Sequence, residues 1–369
     1  MLRVAFGIIL AFHGLIHLMG FVKAFNLSQI EGLTQPISKP VGLLWLLTSL
    51  LFLTALILFS VHYVLWWIIV VLAVFISQTL IILSWHDAKF GTIVNLIILL
   101  VVIASLANAL PSSFQNVYKT EVQKRLKPLS NVPVVREDDI AHLPDPVKKY
   151  LHYVRAVGKP RVYNCRVVFK GNMKRTKESK WMDIAAQQYN FFDPIARFFY
   201  IKSAIFGIPF DGLHVYAGNS ATMQIRVTSL FQVVDARGEK MNQGETVTMF
   251  NDMCFWAPAT LIDKNIQWES MDSLTVKARF TNNNITINAL LYFNEKGELI
   301  DFVSDDRYYC EDGKNYYSYK WSTPVNEYKE FEGRKVPAYG EAVWHMPDGA
   351  FPYARFIVQE IEYNCEEYK

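Results

Sequence analysis

Charged side chains are scarce in the first 110 residues of this sequence and ordinary in the rest. Residues 1–110 hold four basic and two acidic residues, whereas the remainder holds 33 and 32. Crossing a bilayer takes about 20 mainly apolar residues, and four windows pass this test, roughly 4–22, 41–60, 62–84 and 91–110. We therefore predict a four-helix transmembrane segment over 1–110, a polar linker over 111–140 and a β-rich domain over 141–369.

The second part lacks several familiar signals. It has no basic excess, which argues against a nucleic-acid partner. Its cysteines show no C-x-x-C spacing, so zinc and dithiol redox sites are not indicated. Two disulfides are compatible with an even count, but we favour reduced, buried thiols. No P-loop, G-x-G-x-x-G, H-E-x-x-H or G-x-S-x-G string is present, so we expect no enzymatic activity. These cysteines are Cys165, Cys254, Cys310 and Cys365.

The basic residues that flank the spans predict an orientation in the membrane. Four spans place the N-terminus and the large domain on the same side. Basic residues are slightly more frequent there, which favours the cytoplasm. They are Arg3, Lys119, Lys124, Arg125 and Lys127, against Lys23, Lys39 and Lys89 on the other side.

Ionisable side chains inside a span are candidates for function, because burying them in lipid is costly. His13 and His17 are four residues apart and share one face of the first helix. His86 follows the third span on the same side of the membrane as His17. The three could hold haem or a transition metal, or the histidines could simply hydrogen-bond to neighbouring helices.

The large domain has the alternating pattern of an antiparallel β-sheet. TVKARF and ITINALLYF alternate on either side of Asn282–Asn284 and predict a hairpin. An amphipathic helix is expected near 145–154, and another helical segment over 244–256 with a short one at 257–263. This pattern favours an unclosed β-barrel or curved sheet with one or two plugging helices. Further strands are expected at 162–170, 181–191, 213–217, 221–227, 231–236, 298–304, 315–321, 325–331, 339–345 and 353–363.

Aromatic residues are abundant in this domain. They either fill a core or line a lipid-sized cavity, and residue type alone does not separate the two. For the cavity we expect an aromatic lining and two arginines near a polar head group. For Arg307 taken alone, a solvated or internal ion pair is the favoured interpretation. The predicted ligand-binding residues are Tyr189, Tyr216, Phe250, Trp256, Trp268, Phe293, Arg307, Trp344 and Arg355.

Several strings resemble an uncharacterised bacterial family of unknown function. One is GETVTMFNDMCFWAPATLIDKNIQWESMDSLTVKARF, with Trp256, Pro258, Trp268 and Asp272. Others are LPDPVKKYLHYV, FDGLHVYAG, the strand ending at Arg307, and two spaced motifs. Those motifs carry Glu327, Tyr328, Gly333 and Pro337, and Trp344, Gly349, Phe351, Tyr353 and Arg355. The resemblance covers roughly 140–363, and WHDAKFGTIVNLIIL in the membrane segment is also similar.

The order of strands and helix is also similar to the periplasmic outer-membrane lipoprotein carriers. The resemblance implies an unclosed barrel that shelters acyl chains, and it supplies no catalytic residue. A cytoplasmic domain would disagree with such a role.

Three hypotheses follow. The leading one is a membrane-tethered, non-enzymatic protein that holds a lipid or acylated ligand in the β domain. The alternative is a metal- or haem-binding membrane segment with a regulatory β domain. A third is a scaffold that binds a protein partner along an exposed sheet edge.

Overall fold

The computed structural model describes residues 2–310 and 315–369, except for the side chain of Leu2. The chain divides into two compact units, Met1–Leu110 and Pro111–Lys369.

The first unit is a helical bundle. Four of its described helices are long and apolar enough to cross a membrane, which confirms the four predicted spans. At 1.5 Å per residue they are about 27–35 Å long, comparable with the hydrocarbon thickness of a bilayer. The helices are α1 Leu2–Ala24, α2 Lys39–Ser60, α3 Trp66–Leu83, the short α4 Trp85–Ala88 and α5 Gly91–Ala109.

Small residues let α1 and α2 approach closely. A Cβ atom at Gly20 would lie 2.2 Å from the Trp45 ring, and one at Gly42 would lie 2.3 Å from the Ala24 Cβ. Membrane helices pack through such contacts, because lipid offers no hydrophobic driving force between them.

The second unit is built on one large antiparallel sheet of 14 strands, with a separate two-stranded ribbon. Its order is β6-β5-β4-β3-β2-β1-β16-β15-β13-β10-β9-β8-β7, and β14 also pairs with β15. The strands are β1 Asn164–Met173, β2 Met182–Phe192, β3 Ile195–Ile205, β4 Ile208–Ala217, β5 Ser220–Val227, β6 Phe231–Ala236, β7 Ile266–Ser270, β8 Thr275–Asn282, β9 Ile285–Phe293, β10 Leu299–Ser304, β11 Tyr308–Tyr309, β12 Tyr317–Ser318, β13 Lys320–Ser322, β14 Val325–Phe331, β15 Arg334–Met346 and β16 Gly349–Tyr363.

Helix α9 (Glu239–Trp256) runs between the two ends of the sheet. The chain leaves the sheet at β6, forms α9 and a 3₁₀ helix (Pro258–Ile262), and returns at β7. Every residue of Gly244–Trp256 is buried, and α9 contacts β5, β9, β10 and β15. Because one helix touches strands so far apart in the sheet, the sheet curves around it. The result is the predicted unclosed, curved sheet with a plugging helix.

Three further helices cover the sheet: α6 Phe114–Gln123, α7 Glu137–Ile140 and α8 Asp145–Tyr153. Helix α6 packs on the outer face of β3 and β4, and α8 is the expected amphipathic helix. Residues 111–140, expected as a polar connector, therefore include α6 and α7.

The predicted strands all coincide with observed ones, but β3, β7 and β11 were not expected. Strand β3 is buried on both faces, since Phe198 and Tyr200 meet α6 while Arg197 and Phe199 face α9. A strand buried on both faces shows no alternation in its sequence.

Candidate functional site

The inner face of the sheet carries a fully buried charged cluster. Glu245 and Asp252 lie seven residues apart on α9, so they share one face of the helix. That face meets the inward residues of β2, β3 and β4. We call Gln188, Asn190, Arg197, His214, Glu245 and Asp252 the polar seam.

Arg197 lies at the centre of the polar seam. Its Nε donates to Asp252 Oδ2 at 2.8 Å, and its Nη1 donates to Glu245 Oε2 at 3.0 Å. Its Nη2 donates to Gln188 Oε1 at 2.9 Å. Gln188 and Asn190 also donate to Asp252 Oδ2, at 2.8 and 3.1 Å. This one guanidinium therefore links α9 to β2 and β3.

The two carboxylates differ in their electrostatics. Burial raises the pKa of Asp252, and the attraction of Arg197 only partly offsets it. Burial also pushes the pKa of Glu245 upward, but Arg197 and His214 outweigh it and hold that pKa at about 2. The side chains of both acids are at least nine-tenths buried, so a substrate cannot reach them. The polar seam therefore acts by holding α9 on the sheet.

The opposite side of α9 is apolar. Phe250 stacks on Phe280 with ring centroids 5.1 Å apart and also contacts Phe302 at 5.7 Å. Trp268 lies 6.4 Å from Phe250, and Phe302 lies 6.3 Å from Trp321. We call these five rings the aromatic row.

Arg307 lies at one end of the aromatic row. Its guanidinium carbon is 4.3 Å from the centre of the Trp321 ring and 5.7 Å from that of Trp344. Its Nη1 donates to the Tyr353 hydroxyl at 3.1 Å, which also accepts the Trp321 indole N–H at 3.3 Å. No carboxylate among the described residues forms an ion pair with it, although its charge is close enough to help lower the pKa of buried Glu245. Arg307 is half-buried, so it is a partly desolvated cation that rests on aromatic rings.

The family model described as a family of unknown function, DUF6544, matches residues 133–356. This chain belongs to that family. The matched residues include both the polar seam and the cluster of Arg307 with Trp321, Trp344 and Tyr353. The family likeness expected from the sequence motifs is thereby confirmed, and the family description assigns no activity.

No curated protein matches the sequence. Among solved structures, a DUF1329 family protein from Desulfovibrio piger is similar, with 9% identity and a TM-score of 0.36. That alignment covers 59% of this chain and 91% of the other. A LolA superfamily protein from Nitrosomonas europaea aligns with 8% identity and a TM-score of 0.33, over 59% of this chain and 93% of the other.

The structure brings together only part of the ligand-binding set predicted for this DUF6544 member. Phe250 contacts Trp268 in the aromatic row, and Trp344 contacts Arg307 at its end. Trp321 and Tyr353 complete that end, although the sequence did not single them out as ligand-binding.

Three other predicted residues belong to the same inner core but lie against different neighbours. Tyr216 hydrogen-bonds to Thr246 at 2.9 Å. Trp256 contacts Phe169 at the end of α9, and Phe293 contacts Tyr150 of α8.

Tyr189 and Arg355 lie elsewhere. Tyr189 is on the outer face of β2, in the cluster that packs under α6. Arg355 donates to Glu341 at 3.1 Å and lies over the Trp181 ring. Neither contacts the aromatic row.

The predicted histidine set does not converge in the membrane unit. His13 hydrogen-bonds to Asn95 at 2.9 Å, and His17 to the His13 carbonyl at 2.7 Å. The side chain of His86 is 81% exposed and pairs with Asp87 at 3.0 Å. Within residues 2–310 and 315–369, no three His, Cys, Asp or Glu side chains are grouped to hold a metal ion. His13 makes the hydrogen bond to a neighbouring helix that was the other expectation, whereas His17 bonds to a carbonyl of its own helix.

Proposed function

We propose that this protein is a membrane-tethered, non-enzymatic binding protein for an amphipathic ligand with an anionic head group. The observation that carries the proposal is Arg307, a half-buried cation that lies on two indole rings and has no carboxylate partner among the described residues. Arg307 lies at one end of the aromatic row.

Arg307 supplies the head-group contact. A guanidinium presents a planar fork of donors that suits phosphate and carboxylate, and it remains charged at every physiological pH. Only one donated hydrogen bond occupies this fork in the described structure, the one to Tyr353. A ligand anion can therefore take the remaining donors without breaking an ion pair.

The aromatic row supplies the apolar contact. Phe250, Phe280 and Phe302 are fully buried, so an acyl chain enters only if α9 separates from β8 and β10. The polar seam fastens the other side of α9 to β2 and β3. The two sides of α9 thus differ in chemistry. Separation on the apolar side breaks few polar contacts, such as the hydrogen bond from Asn251 Nδ2 to Thr323 Oγ1 at 2.6 Å, whereas the polar seam holds two buried carboxylates.

Lipid extraction from the purified full-length protein tests this proposal. Losing a charge-assisted hydrogen bond costs about 1.5–3 kcal/mol, so we expect Arg307→Gln to retain at least about tenfold less copurifying lipid. Arg355→Gln is the matched control, because Arg355 also lies on an indole but already has Glu341 as a partner. Equal lipid in the two variants, or none in the wild-type protein, overturns the proposal. Near-ultraviolet circular dichroism confirms that both variants fold.

We also propose that Pro111–Lys369 lies on the cytoplasmic side of a bacterial inner membrane, from the basic residues that flank the spans. Asn219, exposed in the turn between β4 and β5, serves as the reporter in a Cys310→Ser/Asn219→Cys variant, because half-buried Cys310 would otherwise react as well. We expect a membrane-impermeant maleimide to label this cysteine only in opened cells. Labelling in intact cells overturns the assignment.

A further inference from the structure

Two neighbouring hairpin tips of the sheet expose large apolar side chains. The turn between β3 and β4 presents Phe206, which is 100% exposed, with Ile205 at 45% and Ile208 at 53%. The turn between β5 and β6 and the start of β6 present Phe231 at 65% and Val233 at 58%. Scattered apolar residues on a surface are normal, but a group of this size usually marks an interaction site.

The two tips lie at the same end of the sheet. Strand β4 pairs with β5 from Phe210 opposite Val227, and the Thr228 N–H donates to the Pro209 carbonyl at 2.9 Å. The tips are therefore adjacent. We call residues 205–208 and 228–233 the apolar tips.

The apolar tips are bordered by two basic residues, Lys202 and Arg226, and the acid that pairs in register with both, Asp211, is buried. Residues 203–210 and 227–234 contain no acidic side chain. The nearest basic residues, Lys202 and Arg226, point to α6 on the outer face. An apolar edge bordered by Lys and Arg is the usual chemistry of a surface that meets anionic lipid.

The covalent connection to the last span begins beside this end of the sheet. Arg226 Nη1 donates to the Ser112 carbonyl at 2.8 Å, and its guanidinium lies 4.1 Å from the Phe114 ring centre. Ser112 follows Ala109, the last residue of α5, by three residues, which is at most about 11 Å of chain. The residue that Arg226 binds is therefore only a short length of chain from the last residue of α5.

We propose that the apolar tips insert into the bilayer interface, with Phe206 and Phe231 among the acyl chains. The occupant is lipid rather than protein, because the chain that Arg226 binds is at most about 11 Å from α5 along the sequence and the basic border matches anionic head groups. Only side chains at the turns enter, so the backbone of the strands keeps its hydrogen bonds. This surface is separate from the Arg307 site, and the proposal does not depend on the proposed function.

Depth measurements on the full-length protein test the insertion. Phe206→Cys is made in a Cys310→Ser background, so that only position 206 carries a reactive thiol in the folded protein. It is labelled with an environment-sensitive fluorophore and reconstituted into vesicles of phosphatidylethanolamine and phosphatidylglycerol, and the variants below share this background. Asn219→Cys is the matched control, because it occupies the exposed polar turn at the opposite end of the β4–β5 hairpin. Nitroxide on the upper acyl chain of added lipid quenches fluorophores at that depth.

We expect a blue-shifted emission and loss of most of the fluorescence for the probe at position 206, and neither change at position 219. A water-like, unquenched probe at position 206 overturns the proposal. A blue-shifted probe that nitroxide lipid does not quench also overturns it, since protein rather than lipid then covers the tips. The same measurement on Phe231→Cys keeps the test valid if the label at position 206 disturbs its own turn.

Discussion

Arg197 and Asp252 are joined inside the sheet by a hydrogen bond of 2.8 Å between Nε and Oδ2, with both side chains more than nine-tenths buried. A buried ion pair contributes little net stability over an apolar pair, but removing one partner leaves a desolvated charge behind. The pair consequently fixes where α9 lies along β2 and β3.

Arg197→Met removes the one cation that serves both acids of the polar seam. We expect a loss of about 3–5 kcal/mol in the free energy of unfolding, because buried Asp252 loses its cation and buried Glu245 keeps only the more distant His214. Chemical unfolding of the detergent-solubilised protein, followed by near-ultraviolet circular dichroism, measures it. Arg355→Met, which breaks a partly exposed pair, is expected to cost within about 1 kcal/mol. Similar losses in the two variants would contradict this assignment.

Asp301 gives the fold a pH-dependent weakness. Burial raises its pKa to about 6, and hydrogen bonds from the Phe302 and Thr323 amides only partly offset this. An acid whose pKa is higher in the folded state stabilises the fold fully below its unfolded value, near 4, and this stabilisation is lost as the pH rises through 6.

Asp301→Asn keeps an oxygen for the Thr323 N–H and cannot ionise. We expect the melting temperature of the variant to exceed that of the wild-type protein at pH 7 to 8, with the difference shrinking below pH 6. A difference that is constant between pH 4 and pH 8 would rule out this role.

Thiol reactivity reports the packing of the inner core. All four cysteines lie in the described part of the chain, no disulfide joins them, and Cys165, Cys254 and Cys365 are buried. Burial raises the pKa of each, to about 11 for Cys365, so their thiolate populations are small. We expect maleimide to modify half-buried Cys310 first and the other three only after unfolding. Fast labelling of a Cys310→Ser variant would show that the core opens.

Asn95 connects three membrane helices. It accepts hydrogen bonds from His13 and Ser77, and it donates to Gln78 at 3.0 Å. Such contacts contribute about 0.6–1.7 kcal/mol each in lipid, so Asn95→Leu should lower the detergent concentration at which the bundle unfolds. Ser105→Ala is the control, because Ser105 bonds only to a carbonyl of its own helix. Equal behaviour of the two variants would show that the Asn95 network is dispensable.

The sequence predicted those parts of the fold whose environment is uniform along the chain. Long apolar runs predicted the four spans within a few residues. A helix in lipid has an apolar environment along its whole length, so its sequence is apolar throughout. Strands β8 and β9 were predicted with their turn at Asn283 and Asn284, because one face of each strand is buried and the other is wet.

The polar seam was missed for the opposite reason. Arg197 lies in β3, where Phe198, Phe199 and Tyr200 follow one another without alternation because α6 and α9 cover both faces. In the sequence, Glu245 and Asp252 resemble the polar face of a solvent-exposed helix. The residues around them do not indicate that an arginine from β3 packs against that face. Two polar residues with alternating spacing, Gln188 and Asn190, in an otherwise buried strand were the available signal.

The sequence predicted the kinds of residue at the candidate ligand site better than it predicted which residues form it. An arginine among aromatic residues was expected, and Arg307 with Trp344 fits that description. Tyr189 could not be assigned to a face without the register of β2, since a shift of one residue exchanges the two faces of a strand. Trp321 was not expected at the site. The sequence predicted one strand over 315–321, whereas the structure has two short strands there, β12 and β13, so the predicted alternation did not give the direction of Trp321.

The pairing of β1 with β16 has a consequence for how the chain folds. The other neighbours in the main sheet are close in sequence, whereas Cys165 pairs with Tyr363, almost two hundred residues later. Ribosomal synthesis produces β16 after every other strand, so the edge of β1 stays open until then. Such an open edge invites pairing with other chains. We expect folding of the sheet to be limited by closure of this one long loop, with aggregation competing until it closes.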